Sequence, residues 1–294
     1  EILGTLGNFS LIKGKAKSRK SFLLSMAVCS ALNEFTFSEV FRCSLFHKDK
    51  NILFIDTEQS DWHVQSAAKR ICRLVGQVSP SRLQMYKFRS LSPSERLKYT
   101  RELISNTPNL GLVIVDGIRD LITSINDEKE SCEIASNLLK WSEEFNIHIV
   151  TILHENPTNE KARGHLGTEL SNKAETVVQI EVDANLPDIS VVKPFSCRNK
   201  PFEPFAFKIE DGSPSVIPDY DASNNTRESF KLDNVDDVII EDLLRICFKG
   251  DDEIKRDKLK ELFQNQLKIK FGDRKGVGLN RVDKLGVQLK EKGV

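Results

Sequence analysis

Through the first half of the chain, short apolar runs that end in a polar residue alternate with longer segments of helical periodicity. This alternation restricts the possible folds more than any other feature. Phe9–Lys13 leads into Ser21–Leu32, and Asn51–Asp56 precedes Val64–Val75, where Val64, Ala67, Ala68, Ile71, Leu74 and Val75 keep helical spacing. Gln84–Phe88 precedes Glu95–Ile104. Leu112–Asp116 precedes a helix from Ser131 to Phe145, with Ile134, Leu138, Trp141 and Phe145 on one stripe, and Ile147–Leu153 is a further strand. Strands that are apolar at successive positions need cover on both faces, which helices on either side of a parallel sheet provide. The expected class is α/β, a mostly parallel sheet flanked by helices.

After His154 the pattern changes. A polar loop to about Leu166 is followed by β-like pieces at Thr176–Val182, Ile189–Val192 and Phe205–Ile209, whose close spacing predicts antiparallel strands extending the sheet. Residues 211–234 are rich in Pro, Ser, Asn and Asp and read as a linker. Three helical patterns follow, at Val238–Cys247, Asp257–Leu267 and Asn280–Lys290, suited to a helix-turn-helix or winged-helix module. The expected organisation is therefore a core over 1–210, a linker over 211–234 and a small helical domain over 235–294. From Ile254 to Val294, 12 Lys and Arg stand against 5 Asp and Glu, although the whole chain is balanced at 43 of each. A polyanion would meet that basic end. A solvated Lys-rich helix surface accounts for the same count equally well.

The first strand runs into Gly14-Lys15-Ala16-Lys17-Ser18-Arg19-Lys20-Ser21 and then an apolar helix. This is the phosphate-loop frame G-x-x-x-x-G-K-[ST] with Arg19 at the second glycine. Such a loop aims backbone N–H groups and a helix N-terminus at phosphates, while its Lys reaches the terminal phosphates and its hydroxyl meets Mg²⁺. Arg19 is expected to add a cation facing phosphate. A basic strand-to-helix turn without a ligand is the plain alternative for the octet alone. Three more strands end in polar groups: Asp56-Thr57-Glu58, Val115-Asp116 and Leu153-His154. In open α/β sheets ligands bind outside the carboxyl ends of the strands, so Lys20, Ser21, Glu58, Asp116 and His154 are expected at one edge.

These residues resemble a RecA-like P-loop ATPase, in particular the RepA-type branch of hexameric plasmid and mobile-element helicases, over roughly Gly7 to Ile209. The resemblance implies a RecA-like core binding ATP and Mg²⁺ at Gly14–Ser21, with Ser21 on the metal and Asp116 behind it through water. It implies Glu58 as the group that polarises the attacking water, Lys20 as the stabiliser of charge on the phosphoryl oxygens and His154 as the γ-phosphate sensor. The loop from about Glu155 to His165 matches the family's channel loop, with Lys161 and Arg163 as DNA phosphate contacts. Cys197-Arg198-Asn199-Lys200-Pro201 resembles the stretch that carries the arginine finger, so Arg198 is the candidate acting on a neighbour's nucleotide. Those helicases usually carry a lysine two residues earlier, where this chain has Ser196. The implied partners are single-stranded DNA and further copies of the chain in a ring of about six, hydrolysing ATP as a helicase or loader in replication or mobilisation of a plasmid or mobile element. The competing reading is a DNA-binding or scaffold protein that uses nucleotide as a switch without efficient hydrolysis.

Other residues read plainly. Trp62 and Trp141 are expected to pack in the interior, and His47, His148 and His165 lack metal-ligand spacing. Six cysteines, at 29, 43, 72, 132, 197 and 247, form no C-x-x-C pair, which suits reduced thiols. No apolar run approaches the roughly 20 residues of a membrane span, and the first residues form no continuous apolar segment of a signal peptide. A cytoplasmic protein without a membrane partner is expected.

Overall fold

The computed structural model describes residues 1–33, 40–155, 162, 164–218, 220, 237–248 and 255–271. The chain divides into two units, Glu1–Ala222 and Ser223–Val294.

The first unit is α/β. Its strands are β1 (Asn8–Gly14), β2 (Asn51–Asp56), β3 (Leu83–Lys87), β4 (Leu110–Asp116), β5 (His148–His154), β6 (Thr176–Val182), β7 (Ile189–Cys197), β8 (Phe205–Glu210) and β9 (Ser213–Ile217). They form one sheet in the order β3-β2-β4-β5-β1-β6-β7-β8-β9. The pairs from β3 across to β6 are parallel, and those from β6 to β9 are antiparallel. Helices α1 (Lys20–Leu32), α2 (Asp61–Val75), α3 (Pro93–Asn106), α4 (Glu128–Glu144) and α5 (Gly164–Lys173) connect the parallel strands.

Burial explains the arrangement. Every residue of β4 is buried, and its side chains divide between two cores. Leu112 and Ile114 join Leu24, Val28, Ile71 and Val75 on the α1–α2 face. Val113 and Val115 join Ile104, Ile134, Leu138 and Trp141 on the α3–α4 face. A strand that feeds two cores must be apolar throughout, which is why the continuous runs were legible as interior strands. The expected stripe on α4 is buried at Ile134, Leu138 and Trp141, with Phe145 packed beside it.

Three features depart from expectation. Residues 164–173, read partly as loop, form α5, which buries Leu166, Gly167 and Leu170. This crossover returns the chain in the same direction, so β6 pairs parallel with β1 rather than beginning the antiparallel part. The expected linker begins with strand: β9 pairs with β8 and buries Pro214 and Val216. Proline is tolerated there because β9 is an edge strand with one row of N–H groups unused.

In the second unit α6 (Asp237–Cys247) and α7 (Arg256–Phe271) are described, and Leu243, Cys247, Phe263 and Leu267 are buried. The expected helix at Asn280–Lys290 lies outside the described residues. No helix among the described residues is long and apolar enough to cross a membrane. All six cysteines are free thiols, with Cys29 and Cys247 buried.

Candidate functional site

The carboxyl ends of β1, β2, β4 and β5 meet in register. Gly14 pairs with His154, and Asp56 pairs with Asp116. The five residues expected at one edge are brought together there: Ser21 meets Asp116, Glu58 meets His154, and Lys20 lies within electrostatic reach of Asp116 and Glu58.

The turn after β1 is compact. A Cβ on Gly14 would lie 2.3 Å from the Ile180 carbonyl oxygen, so only glycine fits there. Lys17 and Arg19 take left-handed backbone, at φ 64° and 67°. The αL conformation costs a non-glycine residue roughly 1–2 kcal/mol, and at Arg19 this is the conformation glycine would supply freely. Its guanidinium shows what offsets the cost: Nη1 donates to Ser190 Oγ at 3.0 Å and Nη2 to the Pro187 carbonyl at 2.8 Å. The side chain is thus tied to the start of β7 and its connection, and it does not supply the cation facing the turn that the sequence suggested. Lys15, Ala16 and Lys17 are exposed on the turn, and Ser18 is buried.

Helix α1 begins at Lys20 with no side-chain cap and no acidic residue in its first turn. Its first N–H groups and positive dipole end are left to attract an anion. Lys20 is 6% exposed, and its Nζ donates to the carbonyls of Gly14 (3.0 Å) and Lys15 (2.7 Å). Burial lowers its pKa to about 8, against the pull of Asp116, Glu58 and Glu155. A lysine held by neutral carbonyls beside uncapped amides is poised to take a phosphate oxygen instead.

Ser21 Oγ donates to Asp116 Oδ2 at 3.2 Å. Asp116 is buried, and burial raises its pKa to about 7, reinforced by the charges of Asp56 and Glu58 and opposed by Ser21 and Lys20. A cation would relieve this penalty directly. A hydroxyl and a carboxylate, both hard oxygen donors, fit Mg²⁺ held largely through its own waters and phosphate oxygens. Ser21 and Asp116 are thus the residues that could hold it.

The turn after β2 is fixed by its own side chains. Asp56 Oδ1 accepts from the amides of Glu58 (3.1 Å) and Gln59 (2.8 Å). Thr57 Oγ1 stands 2.9 Å from the Asp116 carbonyl, 3.0 Å from the Gly117 carbonyl and 3.0 Å from Asp120 Oδ2. Gly117 permits that approach: its φ is 101°, and a Cβ there would come within 2.3 Å of Thr57 Oγ1. Glu58 consequently points outward, half-exposed, with Oε2 3.6 Å from His154 Nε2. The His154 side chain beside it lowers its pKa; burial opposes this, and the charges of His154, Lys20 and Arg119 add to the lowering. An ionised carboxylate at the mouth of the crevice is the form a general base needs.

Several residues near the edge were not singled out from the sequence. Lys13, fully buried on β1, pairs with buried Glu155 at 3.1 Å and lies 3.2 Å from the centre of the Phe195 ring. The Glu155 amide donates to the Gly14 carbonyl at 3.2 Å, coupling the end of β5 to the start of the turn. A lysine directly after the apolar Leu11-Ile12 pair of β1 was the visible signal for this pair. Gln59 and Asp120 carried no signal beyond their adjacency to Glu58 and Asp116.

The remaining expectations divide. Arg198 lies at the opposite edge of the sheet, because β7 runs antiparallel to β6 and Cys197 pairs with Thr176. The length of β6 separates it from Lys20 by about 20 Å. Its Nη2 donates to the Lys173 carbonyl at 2.9 Å, so it cannot serve the crevice of its own chain. Trp62 does not pack in the interior: it is 70% exposed in the first turn of α2, edge-on to His63. Lys161 and Arg163 lie outside the described residues. Among the described residues no group of His, Cys, Asp or Glu forms a metal cluster.

No protein-family model matches the chain, and no curated protein matches it.

Proposed function

We propose that the chain is a Mg²⁺-dependent ATPase with a RecA-like core, of the RepA-type hexameric helicase branch, coupling hydrolysis to single-stranded DNA. The observation that carries this reading is the convergence of Ser21, Asp116, Lys20 and the Glu58–His154 pair on one strand-end crevice beside an uncapped helix N-terminus. Ser21, and Asp116 through water, would hold Mg²⁺, which would neutralise phosphate charge when bound. The backbone of Gly14–Ser21 cradles the phosphates, and Lys20 leaves the Gly14 and Lys15 carbonyls to bind the terminal ones, where negative charge builds. Glu58 accepts the proton of the attacking water. His154, beside it, is placed to contact the γ-phosphate and to report its loss to the segment that follows β5.

Arg198 acts in this reading on a neighbour's nucleotide, which demands an oligomer, a ring of about six copies. Lys161, Arg163 and the basic C-terminal unit, in its winged-helix or helix-turn-helix reading, are the proposed DNA contacts. The proposed setting is replication or mobilisation of a mobile element in a cytoplasm.

One observation favours the other reading, a nucleotide-dependent switch in a DNA-binding or scaffold protein. The Arg198 guanidinium is engaged by its own chain's Lys173 carbonyl, and Ser196 stands where a second cation is usual.

ATP hydrolysis measured with and without single-stranded DNA, over protein concentrations that span assembly, separates the two. The motor reading expects turnover that rises with both DNA and concentration and collapses in Arg198→Ala. Tight ATP binding without turnover under any of these conditions would replace it with the switch.

A further inference from the structure

The residue after Glu58 points the other way. With Asp56 Oδ1 holding the amides of both residues 58 and 59, Glu58 is directed to His154 and the Gln59 side chain is folded back into the crevice. Its Nε2 lies 3.4 Å from Ser21 Oγ and 3.3 Å from Asp116 Oδ2. Together with the Ser21–Asp116 bond at 3.2 Å, this closes a three-membered ring of hydrogen bonds around the two oxygens assigned to the metal.

The geometry points to Gln59 as a positioning residue of the metal site: its amide donates to both Ser21 and Asp116 and holds them in the arrangement that receives Mg²⁺. This rests on the nucleotide reading proposed above. The donor inventory supports it. A serine hydroxyl has one proton and two lone pairs. With the proton on Asp116 and one lone pair receiving the Gln59 N–H, a single lone pair remains, and its direction is set. Asp116 Oδ2 likewise receives two donors, leaving Oδ1 for a metal-bound water. Gln59 has two N–H groups, one for each oxygen, and carries no charge to compete with the cation. Asparagine would be one methylene too short to span both oxygens, and glutamate would offer them no donor. Outer-shell partners of this kind orient metal ligands, and their loss costs 10–100-fold in metal affinity in roughly comparable sites.

Manganese(II) serves as the probe in the test. Its binding to the whole protein saturated with ADP is followed by loss of the electron paramagnetic resonance signal of the free ion, so no turnover is needed. The wild type is expected to bind Mn²⁺ in an ADP-dependent manner. Gln59→Met keeps nearly the same length and volume but donates no hydrogen bond, and it is expected to bind Mn²⁺ about tenfold more weakly, as is Gln59→Ala. Metal-free ADP binding and thermal midpoint should match the wild type in both variants. Wild-type Mn²⁺ affinity in Gln59→Met would overturn the assignment and leave the nucleotide site standing. Absence of ADP-dependent Mn²⁺ binding in the wild type itself would remove the nucleotide reading and the assignment with it.

Discussion

The two edges of the central sheet are built on opposite principles. At the amino edge, buried Glu175 accepts from the Thr5 amide (2.8 Å), from Thr5 Oγ1 (3.0 Å) and from Asn199 (3.4 Å), while Asn8 supports Thr5 from the side at 3.0 Å. There the carboxylate has donors on both oxygens. At the carboxyl edge, Asp56, Glu58 and Asp116 crowd one crevice, Asp116 rises to about 7 and Lys20 falls to about 8. Charges desolvated without full compensation cost stability, and shifted acids and bases concentrate where a ligand is handled. One edge satisfies its buried carboxylate, while the other leaves desolvated charges only partly compensated.

Changes at the two edges should therefore have opposite consequences. The largest effect is expected for Glu58→Gln, which removes the base without disturbing a core contact. Phosphate release should fall by roughly 10²–10⁴-fold, while the melting temperature stays at the wild-type value. A large loss of stability in this variant would erase the distinction between the edges. Glu175→Ala should do the reverse. It removes the acceptor of the partly buried Thr5 donors and should cost about 1–2 kcal/mol in urea unfolding, with ADP affinity unchanged.

A third prediction concerns pH. His148 is buried at the amino edge, its ring donating from Nδ1 to the Thr5 carbonyl at 2.8 Å and packing against Gly4 so closely that a Cβ there would lie 2.4 Å away. Nε2 has no hydrogen-bond partner among the described residues. Burial lowers its pKa from 6.5. The unfolded chain therefore binds the extra proton first, and the stability is present above pH 6.5 and lost as pH falls below it. One proton sets the upper limit of the slope, about 1.4 kcal/mol per pH unit. Unfolding curves between pH 7 and 5 should show a slope within this limit in the wild type and a flatter one in His148→Leu. Equal slopes would mean that the histidine does not sense protons. The smallest effect is expected at Arg19→Gly. Relief of the left-handed backbone, about 1 kcal/mol, offsets loss of the Ser190 and Pro187 contacts, so calorimetric ADP affinity should change by less than about threefold, roughly 0.7 kcal/mol.

Much of this contrast was legible in the sequence. Runs such as Leu112–Val115 had to be interior strands, because no exposed element sustains successive apolar residues. Their polar terminators identified Glu58, Asp116 and His154 as neighbours before any geometry was known. What escaped depends on information that a linear pattern lacks. Helix α5 buries only Leu166, Gly167 and Leu170 and carries polar residues elsewhere, so its apolar stripe is too thin to register. β9 is recruited by pairing with β8, and its Pro214 and Ser215 give it the composition of a linker. Residue type placed Arg19 and Trp62 well along the chain but could not orient them: the Arg19 guanidinium turns to Ser190, and Trp62 turns to solvent. Gln59 is the same lesson in reverse, since nothing distinguishes it until Asp56 fixes the turn that points it at Ser21.

The central claim is that the carboxyl edge is a Mg²⁺-nucleotide site, and calorimetric titration of ADP with Mg²⁺ tests it most directly. The wild type should bind, and Lys20→Ala should lose that binding while unfolding at the same temperature or higher, because a desolvated charge has been removed. No binding by the wild type, or equal binding by both proteins, would contradict it.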